Sequence, residues 1–372
     1  MHCRKLLFSL LVTCLPYLSV SAQAAATTDK FKVTTLQQGL GVVWGMALTA
    51  PDQLLFTDRS GRVGLLSLAK NVPPVWLQGV PPVWAQGQGG LLDIAVPANY
   101  QPGGWIYFTY SKSVSTGGAT TLARARLQVQ TLVDWQDLLV THSASDKGQH
   151  FGSRIAFDGA GHLFFSVGDR GHRPNGQDLT SHAGTIIRLN LDGTVPSDNP
   201  FVGRTDALAE IWSYGHRNPQ GLCYDSARKI LWSSEHGPRG GDEINSILPG
   251  RNYGWADVSH GKEYWKPVAV GEATERADVT PAAYIYIPSI APGSLLCYSG
   301  KVFAEWQGNL LQGSLKLAHL NKVQVDINGK IDNEVRLLTK LGERMRSLLQ
   351  DDQGNLLIGT DSGRILKVEL AQ

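Results

Sequence analysis

This sequence of 372 residues has few of the features that mark membrane-spanning or nucleic-acid-binding proteins. Beyond its N-terminus it has no run of about 18 apolar residues, which excludes a membrane-spanning helix. Lysine and arginine number 34 and aspartate and glutamate 32, so no excess of positive charge indicates nucleic-acid binding. No long segment has apolar residues at helical spacing, whereas 41 glycines and 10 tryptophans are present, and this favours an all-β fold.

Cysteine is scarce as well, with four in the chain. Cys223 and Cys297 are the two beyond the N-terminal segment, and their spacing matches no metal-binding motif. In an oxidising compartment they can pair, but isolated strand cysteines are more commonly small buried apolar residues, so their pairing stays open. A zinc site is also disfavoured, because the spacings between the four candidate histidine ligands do not match those of known ligand pairs. These histidines are His142, His162, His172 and His182.

The first 24 residues have the layout of a secretory signal peptide. Arg4 and Lys5 form a positive segment, Leu6–Leu18 is apolar but too short to span a membrane, and residues 22–24 read Ala-Gln-Ala, a typical cleavage site. We therefore expect residues 1–24 to be removed on export. The mature chain, residues 25–372, is expected in the periplasm or outside the cell.

Six similar segments recur along the mature chain, each with a turn, a few β-forming residues and then small or polar residues. Their anchors, 46 to 80 residues apart, are Leu54, Ile106, Leu163, Ile230, Leu310 and Leu356. Repeats of this length suit four-stranded antiparallel blades with variable loops. The sequence therefore predicts one domain, residues 25–372, folded as a six-bladed β-propeller. Residues 32–36 are expected to pair with the strands after the last anchor and close the ring.

Polar and charged residues recur beside these anchors at similar positions in successive repeats. They are Gln88, His150, Arg217, Asn218, Lys316, Arg344 and Arg346. Because one loop from each blade of a propeller meets at the axis, these side chains are expected to converge. Such a ring suits an acidic, planar small molecule. The segment Glu210–Tyr253, rich in turns, cations and carboxylates, also suits a hard metal ion.

Seven motifs between Gln86 and Arg346 carry a family resemblance. They read G-Q-G-G-L-L-D, H-F-G-S-R-I-A-F, Y-G-H-R-N-P-Q-G, E-H-G-P-R-G-G-D-E-I-N, N-Y-G-W, S-L-K and R-M-R. The pattern resembles the soluble aldose sugar dehydrogenases that depend on pyrroloquinoline quinone (PQQ), relatives of soluble quinoprotein glucose dehydrogenase. The resemblance implies oxidation of the C1 hydroxyl of cyclic aldoses to lactones. Electrons would pass to PQQ and then to an external acceptor, a quinone or a cytochrome.

The resemblance also implies roles for individual residues. His150 would be the general base that takes the proton of the anomeric hydroxyl, a task that suits the ordinary pKa of imidazole. Four cations would contact the carboxylates and quinone oxygens of the cofactor: Arg217, Lys316, Arg344 and Arg346. Neutral hydrogen bonds would come from Gln88, Asn218 and Ser289.

Two calcium ions are implied in the same way. The cofactor-bound ion would take the backbone carbonyl oxygens of Gly237 and Pro238, with its other ligands from PQQ. A second, structural ion would use the Glu243 side chain and the backbone carbonyl oxygen of Tyr253. Main-chain oxygens are ordinary calcium ligands, so the absence of an acidic cluster from the sequence is compatible with both sites.

The sequence departs from the glucose-specific relatives at two positions. Gln149 stands where they carry an acidic residue, and His236 stands where they carry glutamine. The chain is also too short for their long insertions. These differences imply broad sugar acceptance and a monomer.

Two other functions fit a propeller. A calcium-dependent lactonase or related hydrolase would need carboxylates that converge on an axial metal, and the candidates are Asp93, Asp169 and Glu235. A non-enzymatic binding propeller would keep the blades, but it has no need of a histidine beside four cations.

Overall fold

The computed structural model describes residues 30–70 and 72–371, and the expected signal peptide lies outside these residues. Twenty-four β-strands form six four-stranded sheets whose neighbouring strands run antiparallel. The predicted six-bladed β-propeller is therefore confirmed. No helix in the described part of the chain is long and apolar enough to cross a membrane.

The blades follow one another along the chain, each with its innermost strand first. Blade 1 comprises β2 (Val43–Ala50), β3 (Gln53–Asp58), β4 (Arg62–Ser67) and β5 (Val75–Trp76). Blade 2 comprises β6 (Leu91–Ala95), β7 (Trp105–Val114), β8 (Gly117–Gln128) and β9 (Thr131–Val140). Blade 3 comprises β10 (Ile155–Phe157), β11 (His162–Val167), β12 (Thr185–Asn190) and β13 (Ile211–Tyr214). Blade 4 comprises β14 (Pro219–Asp225), β15 (Ile230–Glu235), β16 (Asp242–Ile247) and β17 (Tyr284–Tyr286). Blade 5 comprises β18 (Pro292–Cys297), β19 (Leu310–Ser314), β20 (Leu320–Val325) and β21 (Ile331–Leu337). Blade 6 comprises β22 (Met345–Gln350), β23 (Leu356–Thr360), β24 (Ile365–Leu370) and, from the N-terminal end, β1 (Phe31–Gln37). Three short 3₁₀ helices span Arg173–Gln177, Ala304–Trp306 and Thr339–Leu341.

Blade 6 is built from both ends of the described chain. In β1, Phe31 lies opposite Leu370 and Thr35 lies opposite Leu366 of β24. The pairing predicted for residues 32–36 is therefore confirmed. It leaves no open seam between the first and last blades, which removes two exposed sheet edges.

Alternate residues of each blade pack against different neighbours. Leu163 and Phe165 of blade 3 are fully buried against Tyr107 and Leu122 of blade 2. Phe164, which lies between them in sequence, packs in a cluster with Leu222 of blade 4. Because successive strand side chains point to opposite faces, one apolar strand fills two interfaces. Each fully buried side chain of this size contributes about 1.5–3 kcal/mol to folding.

A disulfide joins the inner strands of two adjacent blades. Cys223 on β14 and Cys297 on β18 are bonded, with their Cα atoms 5.8 Å apart. The arrangement that is more common for isolated strand cysteines, two unpaired buried residues, is therefore not present here. The pairing depends on the packing of blade 4 against blade 5, because the two cysteines are 74 residues apart in sequence.

One guanidinium occupies the propeller axis. Arg154, which directly precedes β10 of blade 3, donates to Asp93 Oδ1 of blade 2 at 2.8 Å and lies over the Trp44 ring at 4.2 Å. Its other acceptors are backbone carbonyl oxygens of inner strands in blades 1, 4, 5 and 6: Trp44, Gln220, Gly293 and Arg346. All six inner strands therefore meet at one buried side chain, which we call the axial arginine.

The axial arginine separates the two ends of the propeller. A cavity of about 480 Å³ is lined by inner-strand residues of all six blades, with Asp93 and Arg154 in its wall. Its other lining residues include Thr49 and Ala95, which lie towards the ends of their inner strands. The polar residues singled out in the sequence lie at the starts of inner strands, so this cavity is at the opposite end from the candidate site.

Candidate active site

The loops that lead into the inner strands come together at one end of the axis. The His150 N–H of blade 3 donates to Gln88 Oε1 of blade 2 at 2.8 Å. The Gly152 N–H donates to Asn218 Oδ1 of blade 4 at 3.1 Å. Gln88 and Asn218 therefore both hold the loop that carries His150, by hydrogen bonds that cross between blades.

His150 is held by a carboxylate that the sequence did not assign to this role. His150 Nδ1 lies 2.6 Å from Asp169 Oδ1, and the Asp169 side chain is 1% exposed. Asp169 also accepts hydrogen bonds from Gly171 N–H and from Trp255 Nε1, each at 2.7 Å. Asp169 comes two residues after β11, the second strand of its blade, and therefore lies at the end of the blade that faces the site. This position was the only local signal of its role.

Burial and charge set the protonation state of this pair. Burial lowers the pKa of His150, Arg217 lowers it further, and the hydrogen bond to Asp169 only partly opposes them. Burial alone would raise the pKa of Asp169, but the hydrogen bond from His150 and the N–H of Gly171 bring it below its ordinary value. A neutral imidazole that donates Nδ1–H to an ionised carboxylate leaves its Nε2 lone pair available. Nε2 has no hydrogen-bond partner among residues 30–70 and 72–371, so it can accept a proton from a ligand.

A buried arginine fixes the loop that presents His150. The Arg170 guanidinium lies 3.6 Å from the centre of the Phe151 ring. It donates to four backbone carbonyl oxygens, of Gly118, Ser143, Lys147 and Gln149. These contacts support a left-handed backbone at His150 (φ 54°), a conformation that is uncommon for residues other than glycine.

The turn that carries Arg217 and Asn218 is supported by Glu235. Its carboxylate accepts from the Arg217 N–H at 2.7 Å and lies 2.9 Å from His216 Nδ1. The Arg217 guanidinium donates to the His236 carbonyl at 3.0 Å. Asn218 is 1% exposed, and its Nδ2 has no partner in the described part of the chain. A buried donor without a partner is costly, so Asn218 suits a ligand that supplies an acceptor.

Blades 5 and 6 bring further cations. The Arg344 and Arg346 guanidinium groups share one carboxylate, Asp361, at 2.8 Å from each Nε. Lys316 is exposed and forms no ion pair with any described residue. Ser289, which is expected to contact the cofactor, also makes two hydrogen bonds to the neighbouring loop: its hydroxyl accepts from Gly240 N–H at 3.0 Å and donates to the Pro238 carbonyl at 3.3 Å. It therefore braces the neighbouring loop.

That loop, Gly237–Gly241, presents backbone oxygens. Asp242 holds it, accepting from the Gly237 N–H at 2.8 Å and from the Ala291 N–H at 2.7 Å. The Gly237 carbonyl accepts no hydrogen bond from the described residues. A Cβ at position 237 would overlap the Gly241 carbonyl oxygen, so only glycine fits there. Available carbonyl oxygens on a fixed loop fit a hard cation.

A pair of carboxylates lies beneath this loop. Glu235 and Glu243 are opposite each other on β15 and β16. Burial, together with the charge of Glu235, raises the pKa of Glu243 to about 8. The Tyr253 carbonyl, which lines the same pocket, accepts no hydrogen bond within residues 30–70 and 72–371. Two crowded carboxylate side chains and a free carbonyl oxygen are a donor set that fits calcium.

Calcium is expected to raise the melting temperature by a few degrees, with a larger shift at pH 8 than at pH 6. In the metal-free fold Glu243 keeps its proton up to about pH 8, whereas its ordinary pKa is 4.5. The folded state therefore binds more protons in this interval, and metal-free stability falls as the pH rises through it. Calcium bound in place of the proton should balance the carboxylate charge and so prevent this loss of stability. Differential scanning fluorimetry with and without calcium measures the effect.

Glu243→Gln should abolish the calcium-dependent shift, because the substitution removes the charged ligand. Glu272→Gln, at an exposed glutamate in the loop that follows β16, should leave the shift unchanged. An undiminished calcium shift in Glu243→Gln would contradict this assignment.

The carboxylates that a lactonase-type site would need are engaged elsewhere. Asp93 accepts from the axial arginine and from the Ile155 N–H at 2.8 Å, Asp169 holds His150, and Glu235 supports the Arg217 turn. Within the described residues, no group of three or more His, Cys, Asp or Glu side chains is arranged to hold a metal ion. The hydrolase interpretation therefore lacks its convergent ligand set.

The histidine that departs from the glucose-specific pattern is half-buried and neutral. Desolvation lowers the pKa of His236 to about 3, Arg217 adds to the decrease, and the hydrogen bond to the Pro292 carbonyl only partly opposes it. Its Nε2 lies 2.6 Å from the Pro292 carbonyl oxygen and therefore donates to it. A glutamine amide can also donate to a carbonyl, so either residue can make this hydrogen bond, but the imidazole ring differs from the amide in shape and size. Gln149, the other departure, is exposed beside His150.

The fold and the site together define a six-bladed propeller with a histidine–carboxylate pair beside an axial group of cations and backbone oxygens. Residues 40–367 match the sequence profile of the family described as glucose/sorbosone dehydrogenase. The chain belongs to this family of sugar dehydrogenases.

Individual relatives span nearly the whole chain. An aldose sugar dehydrogenase from Escherichia coli is 36% identical over 371 residues, which cover 95% of this chain and 96% of the relative. The crystal structure of the soluble aldose sugar dehydrogenase from Escherichia coli, in its apo form, gives a TM-score of 0.87 at 35% identity and covers 92% of this chain and 100% of that chain. The PQQ-bound form of aldose sugar dehydrogenase from Streptomyces coelicolor shares the fold, with a TM-score of 0.74 at 23% identity over 93% of this chain and 100% of that chain.

Proposed function

We propose that this protein oxidises the C1 hydroxyl of cyclic aldose sugars to lactones with PQQ and calcium, and passes the electrons to an external quinone or cytochrome. The observation that carries the proposal is the His150–Asp169 pair, whose free Nε2 lies in a site rich in cations. Membership of the glucose/sorbosone dehydrogenase family supports the same reaction class.

His150 would accept the proton of the anomeric hydroxyl at Nε2. Asp169, 2.6 Å from Nδ1, would stabilise the imidazolium that forms, and Trp255 would keep the second carboxylate oxygen in place. When bound, PQQ with its calcium supplies the two-electron acceptor for the hydride that leaves C1. Loss of one proton and one hydride from the sugar balances its oxidation to the lactone.

The remaining residues would hold the cofactor and its ions. The cations for the carboxylate and quinone oxygens are Arg217, Lys316, Arg344 and Arg346, and the neutral donors are Gln88 and the unpartnered Asn218 amide. The carbonyl oxygens of Gly237 and Pro238 would bind the cofactor-linked calcium. The structural calcium would be bound by Glu243 and the Tyr253 carbonyl. Ser289 would contact the cofactor and also position the Gly237 loop.

We also propose that residues 1–24 direct export and that residues 25–372 act as a single monomeric domain in the periplasm or outside the cell. The Cys223–Cys297 disulfide supports an oxidising compartment. Broad aldose acceptance follows from the departures at Gln149 and His236. Strict glucose preference across a sugar panel, or a dimer in sedimentation, would contradict these two points.

Reconstitution of the exported chain with PQQ and calcium tests the proposed function. Addition of an aldose should reduce an artificial electron-accepting dye, and the reduction should require both PQQ and sugar. A parallel assay of lactone hydrolysis examines the alternative enzyme. Lactonase activity without PQQ-dependent dye reduction would overturn the proposal.

A further inference from the structure

Blade 1 contributes no assigned residue to the site, yet it places a cation at the same position as site residues of other blades. Arg59 lies five residues after the blade 1 anchor, Leu54. Glu235 and Asp361 lie five residues after the anchors of blades 4 and 6, and both contact site cations. Arg59 therefore lies at the end of blade 1 that faces the site.

The backbone and stem of Arg59 are fixed. Its N–H donates to the Val42 carbonyl at 3.1 Å, and its carbonyl accepts from the Leu91 N–H at 3.1 Å. A Cβ at Gly90 would overlap the Arg59 carbonyl oxygen and lie 2.9 Å from its Cγ. Arg59 thus packs against the start of blade 2, two residues from Gln88, and its position does not depend on a ligand.

The Arg59 guanidinium is half-buried but makes no hydrogen bond or ion pair with any residue in 30–70 and 72–371. The two nearest acids are already engaged. Asp58 binds Arg62, and Asp361 binds Arg344 and Arg346. Blade 6 meets blade 1 here, because the hydroxyl of Ser347, next to Arg346, donates to the Val43 carbonyl at 3.1 Å, and Val42 is the partner of the Arg59 N–H. Burial lowers the pKa of Arg59, and the like charge of Arg346 lowers it further. Two partly desolvated cations side by side are unfavourable unless an anion lies between them.

We propose that Arg59 and Arg346 together bind one carboxylate of PQQ, so that all six blades contribute a residue to the site. This inference rests on the proposed function and adds a binding residue to it. An arginine presents a planar set of donors that matches a carboxylate, and two arginines can share its two oxygens. Like Lys316, Arg59 forms no ion pair within residues 30–70 and 72–371, so its charge is available to a ligand.

The test is an equilibrium titration of PQQ, with calcium present, followed by quenching of tryptophan fluorescence. Arg59→Met should raise the Kd about tenfold or more, because a charge-assisted hydrogen bond is lost. Arg204→Met removes an exposed arginine paired with Asp206 in the loop before β13 and should leave the Kd within about twofold. Arg59→Lys should recover part of the affinity.

Thermal unfolding of the ligand-free variants separates binding from a structural role. Without PQQ, Arg59→Met should be at least as stable as the wild type, because the substitution relieves repulsion from Arg346. Wild-type affinity in Arg59→Met, or a clear loss of ligand-free stability, would overturn the assignment. Absence of PQQ binding by the wild type would instead overturn the proposed function itself.

Discussion

Replacing His150 with alanine is expected to lower kcat for aldose oxidation by about 10²–10⁴-fold, the usual contribution of a positioned general base. The reason is geometric, since Nε2 is the free acceptor on a ring whose other nitrogen is held by Asp169. PQQ affinity should change little, because the proposed cofactor contacts come from other side chains. Dye-reduction kinetics and a fluorescence titration on the same preparation measure both quantities.

The pH dependence gives a second test of His150. Burial lowers its pKa from the ordinary 6.5, so the wild-type kcat/KM should fall only at pH values below 6.5, where the imidazole gains a proton. His150→Ala should lose this acid limb. His142→Ala, at an exposed histidine between blades 2 and 3, should keep both the activity and the limb. A His150→Ala enzyme with wild-type kcat would remove His150 from the mechanism while leaving the cofactor assignment intact.

Arg154→Met is expected to lower the free energy of unfolding by about 3–5 kcal/mol, the usual cost of removing one partner of a buried ion pair. The substitution removes every hydrogen bond of the axial arginine and leaves the Asp93 carboxylate buried without its partner. Urea unfolding with the disulfide intact measures the change.

Two further variants calibrate this result. Arg276→Met breaks a surface ion pair with Asp257 and Asp278 and should cost less than about 1 kcal/mol. The double variant Arg154→Met/Asp93→Asn should be less destabilised than Arg154→Met, because no unpaired charge remains at the axis. A loss below about 1 kcal/mol in Arg154→Met would show that the axial hydrogen bonds contribute little to stability.

The sequence predicts the blades well because their signal is local. Each anchor, such as Leu163 or Leu356, lies in the second strand of a blade and is preceded by a turn, and both features can be recognised within about ten residues. Ring closure by residues 32–36 followed from the same reasoning, since a propeller with two open edges would be vulnerable to unwanted pairing. The family motifs extended the prediction from the blades to the site residues in the loops that lead into the inner strands.

The contacts that complete the site cross between blades, and the sequence did not predict them. Asp169 was considered only as a ligand for a hydrolase metal, because nothing local shows that it reaches His150, 19 residues away. Arg154 was visible within a family motif, but its role depends on five other inner strands. The disulfide likewise requires blades 4 and 5 to be adjacent with their inner strands in register. Such pairings depend on the packing of whole sheets, which a short sequence window cannot reveal.

The axial arginine has a consequence for the order of events in turnover. Because the Arg154 side chain bonds to the inner strands of the surrounding blades at the axis, we expect solvent and reactants to reach the site from one end of the propeller. In the proposed reaction, the sugar would enter and the lactone would leave by the same opening that the electron acceptor must use. We therefore expect sugar and acceptor to compete for access to the site, so that oxidation of the sugar and discharge of the electrons alternate.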